Sequence, residues 1–545
     1  MKQNQSIFVA SVVAAVLLTG CSPQGEHPVV SAPGKPIEGG TVIVQEQQEP
    51  DALNKVISSM LATTDVVTPI LSSLVTYDNE LKYIPDLAEE VPTLENGGVK
   101  RVGKGMVVTY KLRKGVRWHD GHPFTADDVA FTHAVYMNTK VKVVSREGYD
   151  KVSRVEIVNP HTVRIHFDQL YAPYVEMYDK LIPKHLLEHS KDLNKDPFNR
   201  APVGTGPFKF ESWKSGDSIT VTANPDYWRG KPHLDRIIYK FIPDENSAFV
   251  QLKSGGLHLY QHAAITQYQA LKSLHGMTIY ETPAATYEHI DLNLEKPYFQ
   301  DRRVRQAIAH AINKKEISQY IFKGLWLEAW SDKSPLNYHY NPEVENRYPF
   351  DPEKAKALLD EAGWKVGSDG VRVKDGLRFA VKISSTAGRK PRELTELLVQ
   401  HYMKQVGIDL TIDNYPGAIL FGPYPDGHLR GGKFDMSLYA WVSNVDPNNI
   451  YLWHSKAMPP NGQNQVRWKN AEMDRLLEAG LVSLDREERK RIYQRAQAIL
   501  AEDVPMIPLL WWTNLDVASA KLLNFKPSGA ANSNFWNAHE WQLTE

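Results

Sequence analysis

The segment YKLRKGVRWHDGHPFTADDVAFT, from Tyr110 to Thr132, predicts a strand, a turn and a helix in succession. Its first residues continue an alternation in which apolar side chains occupy one face and polar side chains the other. The apolar positions are Met106, Val108, Tyr110 and Leu112, and the pattern ends at Gly115. The Asp-Gly pair within HDGH, residues 119–122, is typical of a turn. We therefore predict a half-buried strand that is joined to a helix by a turn.

Both kinds of periodicity recur along the rest of the chain. HTVRIHF alternates in the same way as the first strand, with Val163, Ile165 and Phe167 on one face. Apolar residues at helical spacing predict a helix that Asp301 caps and Gly324 ends. A second helix is predicted from Asp351, with Pro352 at its first position, to Gly363. The chain is therefore predicted to be a mixed α/β protein.

Length and composition limit the classes of protein that need to be considered. The chain has 545 residues, which is more than a single hydrophobic core usually supports, so more than one domain is expected. Its 63 basic and 64 acidic residues nearly cancel, and we therefore expect no nucleic-acid partner. No Walker loop, G-x-S-x-G or S-x-x-K motif is present, so nucleotide binding and nucleophilic catalysis have no support in the sequence.

The N-terminus has the pattern of an export signal. Lys2 is followed by a largely apolar segment of 12 residues at 7–18, which is shorter than the ~20 that a membrane-spanning helix needs. The four residues 18–21, LTGC, resemble a bacterial lipobox and end at the only cysteine, Cys21. We predict a lipoprotein signal peptide at 1–20, a lipidated Cys21 and a flexible stalk at 21–38; the alternative is an ordinary signal peptide with a chance cysteine.

Several motifs together resemble one family of proteins. They are the opening segment at 110–132; PVGTGPFKFESWKSGDSITVTANPDYWRGKPHLDRI at 202–237; and, further on, NLEKPYFQDRRVRQAIAHAINKKEI, FDPEKAKALLDEAGW and FDMSLYAWVSNVDPNNIYLWHS. The order and the spacing of these motifs resemble those of the bacterial extracellular solute-binding proteins of family 5, the peptide and nickel group. The resemblance covers some 400 residues.

The resemblance implies a periplasmic-binding-protein-like fold of class II (cluster C). In this fold two α/β lobes are joined by two crossing segments, and lobe I carries an extra subdomain. Mapped onto the chain, lobe I takes residues 39–53, 203–285 and 509–545. The extra subdomain takes 54–202, and lobe II takes 286–508.

The same resemblance implies a receptor and not an enzyme. It would bind a ligand between lobes that close, without a cofactor, and deliver the ligand to the permease of an ABC importer whose ATPase is a separate subunit. We expect a monomer, held at the cell envelope by its lipid. Di- and oligopeptides are the expected ligands, bound as an added strand. Nickel chelates, haem and oligosaccharides are alternatives, because relatives with this fold carry them.

In peptide-binding members of the family, an aspartate a few residues after a tryptophan holds the ligand amine. Here the corresponding stretch between Trp441 and Asp446 is one residue shorter, and Ser443 and Asn444 stand where the acid is expected. Either Asp446 takes over this role or the ligand has no free amine. The alternative for Asp446 is an Asp-Pro turn that is stabilised by its own backbone.

Three aromatic residues complete the predicted binding site. Alternation along the strand that contains Trp441 places Tyr439 on the same face. Tyr287 lies at the predicted crossing between the lobes. Core packing is the alternative explanation for the aromatic side chains.

A different class of function is suggested by HLLEH. The segment fits H-x-x-E-H, in which His185 and His189 would bind zinc from one helical face and Glu188 would act as general base. The sequence provides no third ligand. We therefore expect no metal site, and a zinc peptidase remains the less favoured alternative.

Overall fold

Strands and helices alternate along the chain in the computed structural model, which describes residues 34–530 and 533–545. The predicted signal peptide, Cys21 and the predicted stalk up to residue 33 lie outside these residues. In the described part of the chain, no helix combines the length and the hydropathy that a membrane span requires.

The strands are defined here by their bounds, in chain order. They are β1 (Pro36–Ile37), β2 (Thr41–Glu46), β3 (Val75–Tyr77), β4 (Tyr83–Pro85), β5 (Val99–Val102), β6 (Gly105–Lys111), β7 (Val152–Asn159), β8 (Thr162–Phe167), β9 (Phe208–Lys214), β10 (Ser218–Ala223), β11 (Arg236–Phe241), β12 (Leu259–Tyr260), β13 (Met277–Leu292), β14 (Leu327–Glu328), β15 (Lys365–Val366), β16 (Arg372–Lys374), β17 (Leu377–Arg378), β18 (Ala380–Ser384), β19 (Asp409–Ile412), β20 (Met436–Val442), β21 (Met506–Ser519), β22 (Leu522–Leu523) and β23 (Gln542–Thr544).

The α-helices are numbered in the same way. They are α1 (Leu61–Val67), α2 (Ala126–Met137), α3 (Lys184–Leu187), α4 (Glu245–Lys253), α5 (Tyr268–Lys272), α6 (Arg302–Ala311), α7 (Lys314–Phe322), α8 (Pro352–Glu361), α9 (Lys390–Gln405), α10 (Gly417–Leu420), α11 (Ile450–Trp453), α12 (Ala471–Val482) and α13 (Arg486–Asp503).

One large sheet runs through both halves of the molecule. Its strand order is β19-β18-β20-β13-β21-β12-β2-β11-β10-β9, and β14 pairs with β21. The long strands β13 and β21 pair with each other, with β20 on one side and β12 on the other. They therefore link a lobe built on β2 and β9–β12 (lobe I) to a lobe built on β18–β20 (lobe II). The predicted two-lobed α/β fold is confirmed.

Each lobe has its own hydrophobic core. Lobe I packs around Val42, Val44 and Ile237, and lobe II around Ile290 and Leu438. Separate cores of this kind allow two lobes to move relative to each other as units.

Residues 110–132 belong to a third unit, the extra subdomain, which has its own sheet and its own core. Its four-stranded sheet has the order β5-β6-β8-β7. Val108 and Tyr110 on β6 are buried in the core of this subdomain, as the alternation predicts. Gly121 in HDGH has a φ of +90°, so a turn follows the strand, and the capping box at Thr125 starts α2.

The prediction of a single helix from Asp301 to Gly324 is wrong in one respect, because two helices occupy this segment. Asp301 caps α6, which ends at Ala311. Asn313 then accepts a hydrogen bond from the backbone N–H of Glu316 at 3.0 Å and starts α7. An asparagine at this position competes with the helix for backbone hydrogen bonds, and this ends one helix and begins another. The helix predicted from Asp351 is present as α8, and its cap accepts from Lys354 N–H.

The stalk predicted for residues 21–38 extends too far along the chain. Pro36 and Ile37 form β1, which pairs antiparallel with β23 at the C-terminus. The partner strand lies about 500 residues away, and no local pattern in this Pro- and Gly-rich segment indicates it. The predicted stalk therefore overlaps a structural strand in its last residues.

Candidate functional site

The pairing of β13 with β21 is interrupted where β13 crosses from lobe I to lobe II. The register with β21 shifts between Pro283 and Tyr287. Within this break, the Ala285 N–H donates to the Gly529 carbonyl at 2.6 Å, and the Ala285 carbonyl accepts from Ser443 N–H at 2.7 Å. A Cβ at Gly529 would lie 1.8 Å from the Pro283 carbonyl, so only glycine fits there. The crossing backbone is therefore bonded to the C-terminal segment on one side and to a lobe II loop on the other.

The aromatic residues predicted for the site lie on one face of β13 and β20. Tyr287 is paired with Trp441 across the two strands. Tyr287 and Tyr439 are buried in hydrophobic clusters, and the Tyr439 hydroxyl donates to Asp291. Trp441 is half-buried and Asn444 is exposed. The two tyrosines thus lie behind a surface that Trp441 and Asn444 reach.

Asp446 lies in a buried ion pair. Arg489 on α13 donates to both carboxylate oxygens of Asp446, at 2.7 and 2.8 Å, and both side chains are more than nine-tenths buried. Burial by itself lowers the pKa of Arg489, but Asp446 outweighs burial and raises it. Asp446 also accepts from Asn448 N–H at 2.9 Å, which is the turn bond weighed as an alternative. The role of Asp446 as an amine anchor stays a prediction, but the carboxylate is already paired.

The loop that contains Asp446 contacts the extra subdomain. The backbone N–H of Asp446 donates to Glu176 Oε1 at 2.9 Å, and the Tyr83 hydroxyl donates to the same oxygen at 2.9 Å. Asn448 donates to Glu147 at 3.2 Å. Burial, followed by the charge of Asp446, raises the pKa of Glu176 to about 7. Sequence reasoning missed Glu176 because its partner is 270 residues away and no motif joins them.

The lobe I wall of the candidate site faces the lobe II surface described above, and it lies at the carboxyl ends of parallel strands. β2 pairs parallel with both β11 and β12. Glu46 ends β2, and Gln261 follows β12 directly. The Gln261 amide donates to Glu46 at 3.0 Å and to Asp65 on α1 at 3.3 Å. Ligands of open α/β folds bind at this edge of a sheet, so the residues here belong to the candidate site.

The central part of the chain matches a family model across more than two thirds of its length. Residues 82–463 match the model described as "Bacterial extracellular solute-binding proteins, family 5 Middle". The protein is a member of this family. The relationship that was inferred from the motifs is thereby confirmed, and the family is one of extracellular solute-binding proteins.

Individual members of the family are similar over almost the whole chain. The oligopeptide-binding protein AppA of Bacillus subtilis is 30% identical over 100% of both chains. Its structure, in complex with a nonapeptide, covers 94% of this chain and 100% of that chain with a TM-score of 0.76.

Other members of family 5 are described with different ligands. NikZ of Campylobacter jejuni, in complex with Ni(L-His), is 27% identical and covers 92% and 99% of the two chains with a TM-score of 0.77. Heme-binding protein A of Haemophilus influenzae is 28% identical over 74% of this chain and 76% of its own. Peptides, a nickel chelate and haem are thus all named among the relatives of this family 5 protein.

His185 and His189 of this family 5 protein do not have the arrangement that a zinc peptidase would require. Helix α3 ends at Leu187, so His189 lies beyond it with its side chain 90% exposed. The His185 ring instead bonds to Asp120 at 2.7 Å and stacks on His122. The prediction that both histidines share a helical face is wrong because the helix has only four residues. In the described part of the chain, no three His, Cys, Asp or Glu side chains are placed to hold a metal ion.

Proposed function

We propose that the protein is the receptor of an ABC importer and that it captures peptides between its two lobes. The observation that carries this proposal is the docked loop at 443–449, which bonds to the extra subdomain through Glu176 and Glu147 while its own backbone continues from β20 of lobe II. We infer that such contacts require the two lobes to be close together. A ligand that binds both walls would therefore favour the closed arrangement.

Peptides are the proposed ligands because AppA is similar over its entire length. Trp441 and Asn444, which reach the surface of lobe II, are proposed to contact the peptide. Tyr287 and Tyr439 are proposed to support that surface from behind. Asp446 is proposed to hold the loop to α13 through Arg489, and this leaves its backbone N–H directed at Glu176.

A direct test is native mass spectrometry of the protein purified without refolding, followed by calorimetry with alanine peptides of two to nine residues. We expect retained masses that form a peptide ladder, and affinity that depends on backbone length more than on side chains. A single retained metal chelate or haem, with no affinity for any peptide, would contradict the peptide assignment. Because NikZ, in complex with Ni(L-His), has a similar structure with a TM-score of 0.77, a nickel chelate is the second candidate, and the same mass spectrum would identify it.

The proposed partners are a membrane permease with a separate ATPase, and the membrane itself through a lipid on Cys21. The receptor acts as a monomer in this proposal. Replacing the nucleophilic thiol by a hydroxyl, Cys21→Ser, should prevent lipidation and release the protein from membranes without changing its fold. Cells labelled with a fatty-acid analogue and then fractionated would check this. Label that persists on the Cys21→Ser protein would contradict the anchor.

A further inference from the structure

Three carboxylates are buried together in the lobe I wall of the candidate site. Glu46 ends β2, Asp65 lies on α1 and Asp516 lies on the crossing strand β21, and each is less than 5% exposed. Their charges are close enough that Asp65 raises the pKa of Glu46 and Asp516 raises that of Asp65, in each case after the larger effect of burial. We call these three residues the lobe I acid cluster.

The hydrogen bonds that the lobe I acid cluster receives come from neutral groups. Glu46 and Asp65 share the amide of Gln261. Glu46 also accepts from the backbone N–H groups of Gln47 and Gln48, and Asp65 accepts from the Ser533 hydroxyl. Asp516 Oδ1 accepts from His262 N–H at 2.9 Å and from the Asn534 amide at 3.1 Å. Each of these donors is neutral, so none of them compensates a negative charge.

Three buried acceptors in the cluster and on Gln261 have no hydrogen-bond partner among the described residues. Two are carboxylate oxygens, Asp65 Oδ1 and Asp516 Oδ2. The third is the amide oxygen Gln261 Oε1, on a side chain that is 3% exposed. A buried polar atom without a partner costs about 1–3 kcal/mol. Because all three atoms are acceptors, a group that brings several donors would satisfy them.

Among the described residues, the ionisable base beside the cluster is His262, and it does not meet this requirement. The imidazole of His262 lies close enough to lower the pKa of Asp65 and Asp516, but the residue is exposed and its backbone has a φ of +49°. A single ring has two N–H groups at most, which is fewer than the three acceptors. His262 instead marks where the cluster can be reached from the surface.

We propose that the lobe I acid cluster is a subsite for a positively charged organic group of the ligand, an ammonium or a guanidinium. An ammonium brings three donors and a guanidinium five, together with the charge that three carboxylates favour. The inference rests on the proposed peptide function. It places a cationic group of the peptide, either its N-terminus or a Lys or Arg side chain, in lobe I and not at the already paired Asp446.

Calorimetry at pH 7.5 with alanine-based pentapeptides tests the subsite. One set carries Lys at each position in turn, a second set carries norleucine in its place, and a third set is N-acetylated. We expect the wild-type protein to prefer the charged form by about tenfold or more, either at one Lys position or at the free terminus, which also identifies the source of the cation. Asp65→Asn should reduce this preference to less than about threefold, because the isosteric amide keeps the shape and removes the charge.

Asp516→Asn is the second variant, in case Asp65→Asn does not fold, and Asp127→Asn is the matched control on an exposed aspartate of α2. The control should keep the wild-type preference. Equal affinity of wild type for charged and neutral peptides, or a preference that survives in both cluster variants, would overturn the subsite alone. Failure of every peptide to bind wild type would overturn both the subsite and the proposed function. A rise in melting temperature with Na⁺ or K⁺ over choline, lost in Asp65→Asn, would assign the cluster to an inorganic ion and overturn the proposal.

Discussion

Buried carboxylates occur on both walls of the cleft, but they are compensated in different ways. In lobe I, the acid cluster of Glu46, Asp65 and Asp516 receives hydrogen bonds from neutral groups and retains unpartnered oxygens. On the other side, Asp446 and Glu176 lie next to the buried guanidinium of Arg489, which bonds to both oxygens of Asp446. We call these last three residues the loop cluster.

The contrast suggests different roles for the two clusters. A buried carboxylate needs a positive partner or repeated hydrogen bonds, and the loop cluster has both within the protein. The loop cluster can therefore fix one arrangement of the lobes. Among the described residues, no Lys or Arg pairs with the lobe I acid cluster, so we expect a cationic group of the ligand to be favoured there. Mutations in the loop cluster should therefore affect stability and closure, whereas mutations in the lobe I acid cluster should affect the preference for charged ligands.

Removing the internal cation of the loop cluster should have the largest effect. Arg489→Met leaves Asp446 buried and unpaired, and breaking a buried pair in this way costs about 3–5 kcal/mol of unfolding free energy. Urea denaturation followed by tryptophan fluorescence measures the change. Arg495→Met on the same helix is the matched control, because Arg495 is exposed in its pair with Glu472 and should cost less than about 1 kcal/mol. Equal losses in the two variants would remove the distinction between the clusters.

The raised pKa of Glu176 should make closure depend on pH. Its pKa is about 7 where the subdomain and the loop meet, against an ordinary value of 4.5. A group whose pKa is raised in the closed form binds a proton on closing, so the contribution is full below about pH 4.5 and is lost as pH rises through about 7. We expect the affinity for an uncharged probe, N-acetylated pentaalanine amide, to fall by roughly 10- to 100-fold between pH 5 and 8, since a shift from 4.5 to about 7 corresponds to about 70-fold over this interval.

Glu176→Gln should flatten this pH dependence. The amide oxygen of glutamine can still accept from Asp446 N–H and from Tyr83, so the contact remains while the titration is removed. Glu90→Gln in the same subdomain is the control, because Glu90 pairs with Lys111 at the surface and should leave the pH profile unchanged. A profile that stays steep in Glu176→Gln would assign the titration to another group.

Local sequence patterns predicted those parts of the structure that depend on local interactions. The alternation through Val108 and Tyr110 identifies a buried strand, and the Asp351 cap and Gly363 identify the bounds of α8. The division into two helices at Asn313 could have been recognised, since asparagine is a strong N-cap. The strand at Pro36 could not, because its pairing with β23 depends on a distant segment.

The candidate site was predicted less completely than the fold. Tyr439 and Trp441 were placed on one face because strand alternation is a local property. Arg489 was missed as a partner of Asp446 because it lies 43 residues further along the chain and no motif links the two. The lobe I acid cluster joins residues from β2, α1 and β21, which lie far apart in the sequence. Only the assembled sheet brings them together.

The smallest expected effect is a coupling energy close to zero, and it decides whether Asp446 belongs with the ligand or with the loop. If Asp446 anchors a ligand ammonium, Asp446→Asn and N-acetylation of a peptide remove the same interaction. The double-mutant cycle would then give a coupling of about 1.5–3 kcal/mol.

If Arg489 already satisfies Asp446, the variant weakens closure for every peptide alike, and N-acetylation costs the same in both proteins. Calorimetry with pentaalanine and N-acetyl-pentaalanine on wild type and Asp446→Asn measures all four affinities. We expect a coupling below about 0.5 kcal/mol, since the two changes act on separate partners. A coupling above about 1.5 kcal/mol would mean that the carboxylate exchanges Arg489 for the ligand on closure, and the two clusters would then share one role.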